Sequence, residues 1–166
     1  LKIMTAFIVG VASTAFKKMP ERGFRELADE ALAGVIEDAG MESARPIEHL
    51  FFANCAMGAW GQNNIRGQVC LTPQLREGRL NPHLPITNIE AGCATGSAAF
   101  HGAVNAVRAG DCDLALALGV EKTWMPDNLV KTFGIFLDGI DQMHPQEWQS
   151  FFANAGESTG LGFEPH

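Results

Sequence analysis

The chain has 166 residues, 46% of them hydrophobic, and a formal charge of −7 at pH 7. That length supports one domain with a real core. The acidic balance argues against a nucleic-acid binder, which carries a basic face. Cysteines stand at 55, 70, 93 and 112, with no C-x-x-C pair and no histidine at a zinc-finger interval. This spacing argues against a metal site and against a disulfide scaffold, and a reducing, cytoplasmic setting is expected.

Lys2 and the apolar run at 7–12 imitate the start of a signal peptide, but the run is short and is followed by Lys17 and Lys18. A buried first strand at 5–12 is the expectation. No stretch is long enough to span a membrane. Phe24, Leu27, Ala28, Ala31, Leu32, Val35, Ile36 and Ala39 recur at helical spacing, which predicts a helix over 24–39 stopped by Gly40. Residues 49–54 read as the second strand. A Gly- and Asn-rich loop at 55–64 follows, then a short helix ending before Pro73. Residues 84–90 read as the third strand, 94–109 as a helix stopped by Gly110, and 113–118 as the fourth strand. The apolar residues of that last strand face both ways, as in a strand covered above and below. The order βαβαβαβ predicts an α/β fold with a mostly parallel sheet covered by helices on both faces. Beyond residue 123 the period fades. Residues 124–166 read as the start of an insertion, with a short helix at 145–155. Trp124, Trp148, Phe151 and Phe152 either pack that insertion or line an acyl pocket.

The most informative residue is Cys93. An apolar run leads into Gly92-Cys93-Ala94, and a helix rich in small residues follows at once. This places a thiol at a helix N-terminus, where free N–H groups and the helix dipole favour negative charge. Cysteines at such positions have lowered pKa values, and the thiolate is the reactive form. The pattern points to a nucleophile that carries an acyl group, against the alternative of a small buried core residue. Cys70 and Cys112 read as core, and burial is also the expectation for Cys55. A dinucleotide site is not indicated, because the run after the first strand, Ile8-Val9-Gly10-Val11-Ala12-Ser13, lacks the glycine pattern.

The unit around Cys93 resembles the nucleophile motif of the thiolase superfamily. Gly61-Gln62-Asn63-Asn64-Ile65-Arg66 is similar to the family's loop after its second strand. Arg108-Ala109-Gly110-Asp111-Cys112-Asp113-Leu114-Ala115-Leu116-Ala117-Leu118-Gly119 is similar to its "AGxxDxxLAxG" stretch. Gly119-Val120-Glu121-Lys122 resembles the version found in sterol-carrier-protein-X-like thiolases. The resemblance covers roughly residues 5–125. It implies an acyl-CoA acyltransferase that cleaves a 3-oxoacyl-CoA with coenzyme A, or runs the reverse condensation. An acyl-Cys93 intermediate is implied, as is an oxyanion hole to which the Cys93 N–H contributes. Coenzyme A is a substrate, and no bound cofactor is implied.

Family members are more than twice this long, and their catalytic His and second Cys lie in a C-terminal half that is not matched here. His101 lies eight residues after Cys93, about 12 Å along a helix, too far to act as its base. His49 and His83 are expected at the far ends of their strands. The chain therefore reads as an N-terminal core over 1–123, the start of an insertion over 124–166, and no C-terminal half. On its own it is expected to be inactive. Family dimers pair the third strand with its mate, which implies a homodimer or heteromer through residues 84–89, from Leu84 to Ile89. The loop carrying Met57 would approach the partner's site. Two other readings stand beside this one. One is a non-catalytic thiolase-like subunit of a heteromer. The other is a ketoacyl synthase-like condensing enzyme, which would need a basic patch for an acidic carrier protein. Without the resemblance, Glu121 and Lys122 read as an ordinary exposed pair. Gln62, Asn63 and Arg66 read equally as loop-shaping residues or as supports of the site.

Overall fold

A computed structural model describes residues 5–160, the side chains of 156–159 excepted, so that Lys2 and Pro165 lie outside the described residues. Two compact units are present, Leu1–Pro126 and Asp127–His166. The first holds α1 (Phe24–Asp38), β1 (His49–Ala53), a 3-10 turn (Ala56–Trp60), α2 (Arg66–Arg76), β2 (Ile86–Ile89), a second 3-10 turn (Gly92–Ala94), α3 (Thr95–Ala109) and β3 (Ala115–Gly119). The strands form a parallel sheet in the order β2-β1-β3, with Phe52 opposite Asn88 on one side and Leu118 on the other.

The α1 stripe forms as its spacing predicts. Leu27, Ala28 and Leu32 are buried, and Phe24, Ala31, Val35 and Ile36 pack around them. Gly40 follows the helix at φ +63°, a left-handed stop that suits glycine. Successive residues of β1 point to opposite faces of the sheet. Leu50 and Phe52 enter one core with Leu116, Leu118, α1 and α2 residues. Phe51 and Ala53 enter a second core with Ala99, Ala103 and Ala106 of α3. A Cβ on Gly102 would meet the Phe51 ring at 2.8 Å, so only glycine lets α3 lie this close to the sheet. The crossover β1-α2-β2 steps one way along the sheet and β2-α3-β3 steps back, with their helices on opposite faces. Crossovers that share one hand require this arrangement.

Two expectations need correction. Residues 5–12 form no strand among the described residues. Their backbone lies against α1 instead. A Cβ on Gly10 would meet the Val35 carbonyl at 2.8 Å, and the Val11 N–H donates to Asp38 at 2.8 Å. A groove of about 420 Å³ is lined by residues 6–12 on one side and Leu114–Gly119 on the other. Within β3 the even-numbered residues bond β1, since the Leu114 carbonyl accepts from Glu48 and the Val120 N–H donates to Ala53. The backbone groups of Ala115, Ala117 and Gly119 therefore face the groove.

The second correction concerns Pro73, which lies inside α2 rather than after it. Proline has no N–H, so the Val69 carbonyl four residues earlier loses its helical donor. Arg25 supplies one, its Nε donating to the Val69 oxygen at 3.0 Å.

The second unit holds α4 (Leu129–Gly134) and α5 (Pro145–Thr159). Asn128 caps α4 by accepting from the Lys131 N–H at 2.9 Å. On α5, Trp148, Phe151 and Phe152 pack against one another, edge to face or tilted, at ring separations of 5.8–5.9 Å. Trp124 belongs to the first unit, where the Lys18 ammonium sits 3.7 Å from its ring. No helix among the described residues is long and apolar enough to cross a membrane.

Ile65, at the N-terminus of α2, has φ +45° and is the one non-glycine residue with positive φ among those described. A branched side chain in this region costs about 1–2 kcal/mol, and this one is mostly exposed, so little packing offsets it. Ile65→Gly should raise stability by about 0.5–1 kcal/mol, read as a Tm increase of a few degrees. A lower Tm would show that the Ile65 side chain carries packing that outweighs the strain.

Candidate active site

Parallel strands end on one edge of their sheet. Here that edge gathers the residues after β1 (Asn54–Met57), after β2 (Glu90–Thr95) and after β3 (Val120–Trp124). Ligand sites of open α/β sheets form in this position. Cys93 stands there, exposed, between the end of β2 and the start of α3.

The turn that presents Cys93 is bonded at every backbone group of the two residues before it. The Thr95 hydroxyl accepts from the Ala91 N–H at 2.8 Å and donates to the Gly92 carbonyl at 2.7 Å. The Ala91 carbonyl accepts from Ala94 at 3.0 Å. The Gly92 N–H donates to the Glu90 carboxylate at 2.6 Å. Gly92 itself has φ +55°, which glycine adopts without cost. Gly96, the second residue of α3, leaves open space where a side chain would stand.

The loop after β1 is held by polar groups from three elements. Asn54 is buried, donates to the Val120 carbonyl at 2.7 Å and accepts from the Met57 N–H at 3.0 Å. Arg66 Nη1 donates to the Asn54 carbonyl at 2.7 Å and the Cys55 carbonyl at 3.3 Å. The Glu121 carboxylate accepts from the N–H groups of Cys55 and Ala56. Lys122 points the other way and donates to the carbonyls of Met19, at 2.9 Å, and Arg22. Its own carbonyl accepts from the Trp60 indole at 2.8 Å. Glu121 and Lys122 are therefore two clamps on two loops, and the reading of them as an ordinary exposed pair is corrected. Each charge meets backbone dipoles of the opposite sense, so neither needs the other.

The remaining candidates separate clearly. Arg66 supports the edge, whereas Gln62 bonds within its own loop, to the Asn64 carbonyl at 2.5 Å. Asn63 contributes its carbonyl to Arg66 at 3.2 Å. Met57 is buried in the core with α1 and α2. Cys70 and Cys112 are buried and Cys55 is half-buried. Burial pushes the Cys70 thiol up to about 12. Burial also raises Cys55, with the Glu90 and Glu121 carboxylates adding to it. Cys112 is raised by burial and then by Glu48, Asp111 and Asp113.

No histidine of this unit is brought to Cys93. His49 opens β1 at the opposite end of the strands and bonds Thr87 at 2.9 Å. His83 precedes β2, and His101 lies on α3 beside Asn105. The described residues contain no cluster of three or more His, Cys, Asp or Glu able to hold a metal ion. Asn54, Glu90 and Thr95 were not singled out by the sequence. Their one common signal is position, since each is a polar residue within a few residues of a strand end.

Removing the Glu121 carboxylate leaves two loop N–H groups without their acceptor. Glu121→Ala should destabilise the fold by about 1–2 kcal/mol, and Glu121→Gln by less, because one oxygen remains. Urea unfolding at pH 7 measures both. Equal stability of Glu121→Ala and the parent would show that water replaces the clamp without loss.

Comparison with known proteins agrees with this geometry. The family described as "Thiolase, N-terminal domain" matches residues 6–132. An acetyl-CoA acetyltransferase of Methanocaldococcus jannaschii is 34% identical over 146 residues, covering 87% of this chain and 34% of that protein. An acetyl-CoA acetyltransferase of Methanothermobacter thermautotrophicus is 32% identical over 148 residues, covering 86% and 34%. The benzoylsuccinyl-CoA thiolase subunit BbsB of Thauera aromatica is 25% identical over 138 residues, covering 83% and 33%. The chain thus spans about a third of the length of these relatives. It belongs to the thiolase family, and what it carries is the family's N-terminal domain.

Proposed function

We propose that this chain is the nucleophile half of a thiolase-type acyltransferase, with Cys93 as the nucleophile. One observation carries the reading. Cys93 is the exposed cysteine of the four, and it stands on a fully bonded turn at the C-terminal edge of a parallel sheet. The family match and the two archaeal acetyl-CoA acetyltransferases support the chemistry.

In the cleavage direction the Cys93 sulfur attacks the 3-carbonyl carbon of a 3-oxoacyl-CoA. The C2–C3 bond breaks, and C2 keeps the electron pair, takes a proton and leaves as the CoA thioester. The acyl group stays on sulfur. The thiol of a second coenzyme A then attacks the acyl-Cys93 thioester, which returns the cysteine and releases a shortened acyl-CoA. An oxyanion develops on the attacked carbonyl oxygen, and we assign the Cys93 N–H to its stabilisation. His49, His83 and His101 stand apart from Cys93, so we assign the base to the family's C-terminal half. Coenzyme A enters as a substrate, and no bound cofactor is invoked. The Gly119-Val120-Glu121-Lys122 stretch supports a place near the sterol-carrier-protein-X-like branch. Strand β2 is an edge of the described sheet, and we place contact with a second thiolase subunit there. The chain is assigned to the cytoplasm, in keeping with its free cysteines.

A second reading has a specific motive. With no histidine of this unit at Cys93, a non-catalytic role in a heteromer fits as well, and one relative is itself named a subunit. Mass spectrometry of the native protein incubated with a 3-oxoacyl-CoA separates the two. An acyl adduct on the Cys93 peptide is expected, and Cys93→Ala should lower turnover by roughly a thousandfold or more. Unchanged turnover in Cys93→Ala defeats the nucleophile reading.

Alkylation gives an independent check. At pH 8 a thiol with a pKa of about 12 is thiolate in roughly one molecule in ten thousand. Iodoacetamide should therefore label Cys93 first and leave Cys70 untouched until the protein unfolds. Labelling of Cys70 ahead of Cys93 in the folded protein would contradict this placement of the two thiols.

A further inference from the structure

The contact between Glu90 and the Gly92 N–H has no part in the acyl-transfer steps above. Glu90 lies between the last residue of β2 and the turn that presents Cys93. Its carboxylate accepts the Gly92 N–H at 2.6 Å, and after burial its charge is the largest cause that raises the Cys55 thiol. Cys55 is itself fixed on both sides of its backbone. Its N–H is held by Glu121 and its carbonyl by Arg66 at 3.3 Å. The carboxylate of Glu90 thus holds the amide of the residue just before the nucleophile.

We propose that Glu90 is a positioning residue for Cys93. It holds the Gly92 N–H, and with it the Ala91-Gly92 peptide, while Thr95 holds the Gly92 carbonyl, so both peptides around Gly92 are fixed and the backbone entering Cys93 keeps its orientation. This inference rests on the reading of Cys93 as the nucleophile. Two observations carry it. The Gly92 N–H has Glu90 as its acceptor, whereas the other three backbone groups of Ala91 and Gly92 are satisfied by Thr95 and Ala94. A glycine at φ +55° has no side chain of its own to hold that peptide, so the restraint must come from a neighbour.

The test compares Glu90→Gln and Glu90→Ala in the native enzyme. Glutamine keeps an oxygen that can accept the Gly92 N–H, and alanine does not. Amide exchange at Gly92, read by mass spectrometry with fragmentation, should quicken about fivefold or more in Glu90→Ala and stay near the parent rate in Glu90→Gln. The kcat should fall about tenfold in Glu90→Ala with KM for the acyl-CoA within about twofold, and Glu90→Gln should restore most of it. Alkylation of Cys55 should quicken in both variants, because both remove the charge that opposes its thiolate. Unchanged Gly92 exchange in Glu90→Ala overturns the proposal. So does an equal loss of kcat in both variants, which would mean that charge rather than the amide contact matters. Exchange and Cys55 alkylation do not depend on turnover. If Cys93→Ala proved active, they would still report whether the Glu90 contact exists, so the two failures can be told apart.

Discussion

The five residues of β1 are the part of the first unit on which the others depend. They have a strand on each side and a hydrophobic core on each face. Leu50 and Phe52 are wholly buried against α1 and α2, while Phe51 and Ala53 meet α3. A slip of one residue would exchange the two sets and turn the side chains shaped for one core into the other. That fixes the register of β1, and with it the height at which all three strands end. The loop after β1, the turn after β2 and the segment after β3 meet because of this shared ending.

The edge where they meet is polar, and the chain satisfies it mostly with charged side chains bonded to backbone. Glu121, Lys122, Arg66 and Glu90 each bond main-chain groups. Such bonds are stronger than neutral ones and fix loops in place without regular structure. The net charge of −7 belongs to a protein whose carboxylates, at this edge, are used as acceptors for N–H groups rather than as a field.

Much of this was legible in the sequence, and the failures have a physical pattern. The α1 stripe, the Gly40 and Gly110 stops and the strand-turn-helix unit around Cys93 all depend on local spacing, and all are present. Residues 5–12 are apolar enough for a strand. A strand, however, is defined by its backbone partners, and hydrophobicity does not reveal whether one is at hand. Pro73 read as a helix end because its missing N–H is a local fact, while the donor that compensates comes from Arg25, far away in sequence. The roles of Asn54 and Glu121 escaped for the same reason. Their acceptors and donors lie across the fold, and a polar residue at a strand end looks the same whether it clamps a loop or faces water.

The bond from Arg25 to the Val69 carbonyl makes two distant positions dependent on each other. With proline at 73, Arg25 fills a vacancy in the helix's donor supply. With any other residue at 73 the helix would supply that donor itself, and the arginine would be redundant. The cost of losing Arg25 is thus conditional on Pro73. The order in which the two positions change matters: proline first leaves an orphaned carbonyl, whereas arginine first leaves nothing to repair. In a lineage of related chains the two residues should therefore be gained and lost together.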